Sequence, residues 1–558
     1  GPEDLDRMLA RMTTSQHLQH RARRPGRPGL VASALAGLAL LGLAAAAPVL
    51  ADEAPAQAVP QRVLDVMNAP LYSGATWGLR VVDVASGRLV MSLGPDTRFY
   101  TGSVRKLFSV AEALDALGPG HRFATPVYRR GRLDANGVLH GDLVLVASGD
   151  LTLGGRTLPD GQVQFTSFDH IEANSLGSAI LTRPDPLAGI RALARQVRAS
   201  GVRRVEGQVV VDTRLWKPFR VPNGNVLITP IVVNDNFVDV TIKPTTPGKP
   251  ALVTHRPQSA ALTVRSEVRT VARGGAETVK LVLSRDGHSG VVRGNIPVGY
   301  KPGLPGVPTL VQTFTIQDPA AYARTVLIEA LRREGVEVDA PTVAANPAGR
   351  LPAGRRYPAG TRVARFVSPP YSQYARLILK VSHNLGANLS LMYSGLTHGA
   401  RTRDAALAAE RRVLTTTFGI PGDGFDFPTN GSGSPDSQAS PGALMTLLRY
   451  MSTRPEFPDY FRSLPALGVD GSLASVGRDP FSPTMAPAFG RVFAKTGTTL
   501  LGATLRAQVF SGYIDAKSGR RLAYVVYVND VSKIGGVQDV IKVFNDEGEI
   551  SAAVYGAG

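Results

Sequence analysis

Ser103-Val104-Arg105-Lys106 places a hydroxyl and an amine one helical turn apart, and residues three apart on a helix are neighbours. A lysine near a helix N-terminus and beside another cation is pushed toward its neutral form, which can accept a proton and turn Ser103 into a nucleophile. Two more polar clusters follow in order: Ser382-His383-Asn384, then Lys495-Thr496-Gly497 with Thr498 behind it. In such a set Ser382 would relay a proton between Lys106 and a leaving amine, while the Asn384 amide would hold a substrate's peptide group. Lys495 and Thr496 can bind a carboxylate, and Gly497 lets a substrate lie against the strand edge. The backbone N–H groups of Ser103 and Thr498 are candidate oxyanion donors. Taken singly each cluster is ordinary, because serine and asparagine cap helices and make turns. Scarcity and order set them apart: the chain has 11 lysines against 51 arginines, and only Lys106 has a serine three residues before it.

Competing chemistries lack their residues. There is no Gly-x-Ser-x-Gly elbow and, among nine histidines, no His-Glu-x-x-His pair. Asn430-Gly431-Ser432-Gly433 has no Lys-Ser/Thr after it, which argues against a phosphate loop. A second Lys-Ser-Gly, at Lys517-Ser518-Gly519, lies between two strand-like runs and reads as turn chemistry. Trp77 and Trp216 read as core or interface residues. No metal and no organic cofactor is expected.

The elements that must carry these residues are legible in the apolar periodicity. Gly78 to Val84 and Arg88 to Leu93 alternate around Ala85-Ser86-Gly87, which predicts a hairpin. Leu107, Val110, Ala111, Leu114 and Leu117 form a helical stripe that stops at Gly118-Pro119-Gly120 and puts Ser103 at the helix start. From 121 to about 345, short strand-like runs (Asp142 to Val146, Gly207 to Val211, Phe237 to Ile242) alternate with Pro/Gly turns, and one helix interrupts them at Pro186 to Ser200. Strands at Ala261 to Val264 and Val279 to Leu283 suggest a smaller insertion inside the larger one. Helical signal returns at Ala375 to Leu396, Asp404 to Thr417 and Ser440 to Ser452. Arg491 to Ala494, Ala507 to Ile514 and Arg521 to Val528 read as strands ahead of a helix from about Val537.

At 558 residues and 43% apolar the chain is too long for one ordinary core and suits an α/β or α+β enzyme of two or three domains. Arginines at 21, 23, 24 and 27 precede a largely apolar run from Leu30 to Leu50 that ends at Ala51, so it reads as an export signal cut after Ala51, with an uncleaved anchor as the competing reading. An exported chain without cysteine has no disulfide and no thiol nucleophile. The net charge of +18 suits anionic polymers of the cell envelope and a peripheral contact with membrane surfaces. Nucleic acid is not expected as a partner, because the basic residues are scattered rather than clustered with aromatics.

Together the three clusters resemble the active-serine, Ser-x-Asn and Lys-Thr-Gly set of penicillin-binding proteins and serine β-lactamases. More narrowly, the chain resembles the D-Ala-D-Ala carboxypeptidase/endopeptidase family, the low-molecular-mass class C penicillin-binding proteins. The 276 residues from Lys106 to Ser382 select that branch, since β-lactamases allow far fewer. Gly149-Asp150, Asn234-Asp235-Asn236, Asn430-Gly431-Ser432-Gly433 and Asp470-Gly471-Ser472-Leu473 support it, from about residue 60 to the end. The resemblance implies an α/β fold in which a transpeptidase domain, an antiparallel sheet with flanking helices plus a helical subdomain, carries mainly β inserted domains. Its implied boundaries are 1–51 for the export segment, 52–125 with 346–558 for the penicillin-binding domain, 126–242 with 300–345 for an inserted domain, and 243–299 for a domain nested in it.

By resemblance, Ser103 is acylated by a peptidoglycan stem peptide ending in D-Ala-D-Ala. Lys106 is the base, Ser382 and Asn384 complete the catalytic set with Lys495, and Lys495, Thr496, Gly497 and Thr498 hold the terminal carboxylate. β-Lactams would acylate the same serine, and the protein would work in the periplasm or cell envelope. A β-lactamase-like hydrolase and a non-catalytic envelope-binding protein on the same scaffold are the rival readings. Three departures bear on substrate preference and rate: His383 where aspartate is frequent, Asn430 for the usual Asp before Gly-Ser-Gly, and Pro435-Asp436-Ser437 after it. His383 is also an expected source of pH sensitivity near neutrality.

Overall fold

The computed structural model describes residues 56–558, so the apolar run Leu30 to Leu50 and its expected cleavage point lie outside the described residues. A five-stranded antiparallel sheet forms the centre, in the order Leu89–Leu93, Thr76–Asp83, Arg521–Val531, Thr504–Asp515, Val492–Leu501. The first hairpin of the chain thus pairs with a strand near its end, Trp77 opposite Val528 and Val81 opposite Tyr524. Alternation along each strand feeds two cores. Ala507, Val509 and Tyr513 face the core shared with helix Lys106–Leu117, whereas Phe510 and Ile514 face the core shared with the C-terminal helix Val537–Ala557. Trp77 and Trp216 are both buried.

Helix Lys106–Leu117 is more enclosed than its stripe predicts: every residue from Lys106 to Leu114 is buried, Ser109 and Glu112 included. It lies between the sheet and the helices Tyr371–Val381 and Asn384–Thr397, so no side of it meets solvent over that stretch. The expected continuous helical region from Ala375 to Leu396 is a correction. Two helices meet at Ser382, whose φ of 63° and ψ of 46° put it in the left-handed region and end the first helix. His383 then caps the second by accepting from the Gly386 N–H through Nδ1 at 3.0 Å. The turn brings the Ser-x-Asn triplet to a helix junction.

The segment between Lys106 and Ser382 builds sheets of its own around a separate apolar core. The largest runs Glu337–Val338, Arg204–Val205, Val138–Val146, Ala124–Leu133, Arg362–Val367, with Val209–Asp212 also paired to Val138–Val146. Helices Ala188–Ala199 and Pro319–Arg333 pack in its core. Two three-stranded sheets follow, one of Leu252–Arg256, Phe237–Lys243 and Leu310–Thr315, the other of Thr263–Val271, Ser289–Pro297 and Lys280–Leu283. Arg362–Val367 is antiparallel to Ala124–Leu133, so by hydrogen bonding it goes with the inserted sheet, and we propose a domain return after Val367 rather than near 346. Leu252–Arg256 pairs with Phe237–Lys243, which likewise argues for a nested unit that begins after Arg256. The Lys517-Ser518-Gly519 decoy occupies the turn between strands Thr504–Asp515 and Arg521–Val531.

Candidate active site

Ser103 stands in a single 3₁₀ turn, Gly102–Arg105, that runs directly into helix Lys106–Leu117. The Lys-Thr-Gly strand, Val492–Leu501, passes hard against this turn. A Cβ at Gly497 would lie 2.2 Å from the Thr101 carbonyl O and 3.0 Å from the Ser103 N, and one at Gly102 would lie 2.7 Å from the Thr498 N. Only glycine at both positions lets the two backbones approach this closely, and Gly102 also has φ of 49°. The Ser103 and Thr498 amides are thereby brought to the same place.

Lys106 is fully buried and its Nζ has three partners: Ser103 Oγ at 2.6 Å, Asn384 Oδ1 at 2.7 Å and the Ser432 carbonyl O at 3.0 Å. Asn384 Oδ1 and the Ser432 carbonyl can only accept, so they take two N–H donors from the amine. In a neutral amine the third position is a lone pair, and it faces the Ser103 hydroxyl. Burial lowers the Lys106 pKa to about 7, with Glu172 opposing the shift and Arg105 adding to it. The helix N-terminus and the desolvated pocket therefore prepare a proton acceptor 2.6 Å from the serine oxygen.

Arg105 fixes the start of this helix. Buried completely, it makes a bidentate pair with Glu410 at 2.6 Å on each oxygen, donates to Ser109 Oγ at 2.9 Å and lies 3.9 Å from the Phe427 ring centroid. Replacing Glu410 with glutamine leaves a buried guanidinium facing a neutral amide, and the expected destabilisation is about 3–5 kcal/mol, read as a lower urea midpoint with unchanged slope. A loss under about 1 kcal/mol would contradict the pair's role.

Among the described residues, the side chains of the remaining predicted residues make no hydrogen bond to Ser103, Lys106 or the Asn384 side chain. Lys495 is fully buried, and its Nζ donates to the Thr496 carbonyl O at 2.6 Å. Burial pushes its pKa well down, the nearby Lys106 charge pushes the same way, and Glu172 opposes both. Thr496 Oγ1 is 2.8 Å from Ser472 Oγ, and Thr498 Oγ1 donates to Gln508 Oε1 at 2.7 Å, its cross-strand neighbour. Ser382 is half-buried, two residues before Asn384.

A cavity of about 350 Å³ opens on this centre. Ser103, Asn384 and Thr498 line one side, and Glu172, Asp235 and Phe237, from the segment between Lys106 and Ser382, line the other. The sequence motifs did not point to Glu172, whose charge is felt by both Lys106 and Lys495, because an isolated Glu in a short turn carries no pattern. Nor did they point to the Ser432 carbonyl as a lysine partner. Its loop is held by Asn430, whose Oδ1 accepts from the Ser432 N–H at 2.9 Å and the Gly433 N–H at 2.6 Å, so the asparagine found there supports the turn. His383, by contrast, is buried away from the cavity, with Nε2 2.9 Å from Asp235 Oδ1.

Comparison with known proteins gives the family. A family model described as the D-Ala-D-Ala carboxypeptidase 3 (S13) family matches residues 60–546. The chain is 28% identical over 541 residues to a D-alanyl-D-alanine carboxypeptidase of Actinomadura sp. (strain R39), covering 92% of this chain and 89% of the relative. It is 21% identical over 482 residues to D-alanyl-D-alanine carboxypeptidase DacB of Haemophilus influenzae, covering 84% and 88%. Among solved structures, penicillin binding protein 4 (dacB) of Haemophilus influenzae superposes with a TM-score of 0.64 at 19% identity, over 87% of this chain and 98% of that one, which shows a shared fold. The protein therefore belongs to the D-Ala-D-Ala carboxypeptidase 3 (S13) family of serine-type peptidases.

Proposed function

We propose that the protein cleaves the D-Ala-D-X bond of peptidoglycan stem peptides through an acyl-enzyme on Ser103. The observation that carries this reading is the Lys106 amine, with both N–H donors engaged by Asn384 Oδ1 and the Ser432 carbonyl and its third position directed at Ser103 Oγ. Lys106 takes the serine proton as Oγ attacks the penultimate D-Ala carbonyl. The Ser103 and Thr498 amides stabilise the oxyanion, a contribution of about 10²–10³ per donor. The proton then passes by way of Ser382 to the leaving amine, and the C–N bond breaks. Water attacks the acyl ester, Lys106 takes the water's proton and returns it to Oγ as the ester C–O bond breaks, and Ser103 is released. Lys495, Thr496 and Thr498 bind the terminal carboxylate, and β-lactams acylate the same serine. The stem peptide places the enzyme in the cell envelope. Among the described residues no helix is long and apolar enough to cross a membrane.

The test is incubation of purified protein with monomeric and crosslinked muropeptides of defined structure, products read by mass, beside Ser103→Ala. Loss of one D-Ala from monomers marks carboxypeptidase activity, and resolution of dimers marks endopeptidase activity. Absence of both products from the wild-type incubation would sink the proposal.

The pH dependence follows from Lys106. With a pKa of about 7, the amine is mostly protonated at pH 6 and mostly neutral at pH 8, so acylation rises about tenfold across that interval. Because Glu172 raises the Lys106 pKa, Glu172→Gln moves the midpoint to lower pH. A midpoint that stays put or moves up would contradict this electrostatic assignment.

A further inference from the structure

The Ser-x-Asn junction is tied to the inserted segment through one carboxylate. Asp235 Oδ1 accepts from His383 Nε2 at 2.9 Å, while Oδ2 accepts from Arg156 Nη2 at 2.8 Å and His170 Nε2 at 2.6 Å. Arg156 is shared with Asp169 at 2.6 and 2.8 Å, His170 Nδ1 is 2.6 Å from Asp239 Oδ1, and Arg256 Nε donates to Asp239 Oδ2 at 3.0 Å. With a carboxylate oxygen at each ring nitrogen, His170 must donate from both and is an imidazolium. The cluster then holds three carboxylates against Arg156, Arg256 and His170, so it is balanced without any charge on His383.

His383 supplies what such a cluster lacks, a neutral donor. Its Nδ1 accepts from the Gly386 N–H at 3.0 Å and so carries no proton, which assigns the ring proton to Nε2, pointing at Asp235. Both ring nitrogens are therefore fixed, one by the helix it caps and one by the inserted segment. The next residue is Asn384, which holds Lys106, and the preceding one is the left-handed Ser382. Asn234, Asp235 and Asn236 have φ of 49°, 54° and 59°, three consecutive left-handed residues in the loop that presents this carboxylate. An aspartate at position 383 would face Asp235 at close range in a buried site, so the histidine and this carboxylate form a matched pair.

Resting on the acyl-enzyme reading above, we propose that Asp235 is a positioning residue that acts through His383 to set Asn384, and through it Lys106, for proton transfer. The inserted segment is thereby part of the catalytic apparatus in addition to being a wall of the cavity.

Two variants at one position separate this from simple helix capping. Glutamine at 383 places an amide N–H where Nε2 stands and reaches Asp235. Asparagine places an oxygen where Nδ1 stands, keeps the cap and falls short of Asp235. With a D-Ala-D-Ala-terminated peptide, His383→Gln is expected to keep kcat within about tenfold of wild type, and His383→Asn to lose about 10²-fold with KM within about threefold. Asp235→Asn should match His383→Asn, and the double variant should be no slower than either single one. If Asp235→Asn does not fold, the order of the two His383 variants decides alone. Asparagine performing as well as glutamine, or losses that multiply in the double variant, would overturn the proposal. Fluorescent penicillin run in parallel separates the two levels: a wild type that is not labelled overturns the acyl-enzyme reading, whereas a labelled wild type with the wrong variant order overturns this inference alone.

Discussion

Lys106→Met is expected to slow acylation by penicillin about 10²–10⁴-fold while the protein stays folded. Methionine fills nearly the volume of the buried lysine and brings no charge, so packing around the helix start is kept. What disappears is the lone pair at Ser103 Oγ, together with the two donors to Asn384 Oδ1 and the Ser432 carbonyl. Those two acceptors lose their partner, at about 1–3 kcal/mol of stability each. Lys106→Arg is expected to be equally slow, because a guanidinium is not deprotonated at accessible pH and cannot serve as base. Raising the pH should rescue neither variant. A fall of less than about tenfold in the second-order acylation rate would remove Lys106 from the role of base.

Gly497→Ala is expected to cost about 10²–10³ in kcat/KM. The new methyl group would meet the Thr101 carbonyl O at 2.2 Å and the Val104 N at 2.8 Å, and neither is a side chain that can swing aside. The Lys-Thr-Gly strand must therefore shift from the serine turn, which separates the Ser103 and Thr498 amides and moves Lys495. Gly349→Ala, at a position with no neighbouring atom within 4 Å, is the control and should leave kcat/KM unchanged. Equal activity in the two variants would show that the close approach has no catalytic meaning.

Elements set by local pattern were legible in the sequence. Alternation marked the hairpin and the three late strands, and the stripe from Leu107 to Leu114 marked the helix that carries Lys106. The motif residues Lys106 and Asn384 were found by type and order, and in the structure they share a hydrogen bond across 278 positions. The break at Ser382 was hidden because the apolar stripe continues from Leu377 through Leu396 and no glycine or proline marks the left-handed residue. Asn234-Asp235-Asn236 was legible as a motif without a role, whereas Glu172 reaches the cavity through the packing of the inserted segment, and no local periodicity encodes which carboxylate will act on lysines elsewhere in the chain. The pairing of Arg362–Val367 with Ala124–Leu133 was invisible for the same reason, since a short edge strand gains its partner only from long-range topology. The expectation that His383 tunes activity through solvent pH did not foresee its burial: held at both nitrogens and closed off from the cavity, it reads better as a structural link to Asp235.

Ser103 is the residue expected to become acylated, and tryptic peptide mass after brief exposure to benzylpenicillin reads this out. Cleavage at Arg98 and Arg105 releases Phe99–Arg105, in which Ser103 is the only serine. The penicilloyl mass is expected on that peptide in the wild type and absent from Ser103→Ala. An unmodified wild-type peptide, or the adduct on any other segment of the chain, would contradict the account.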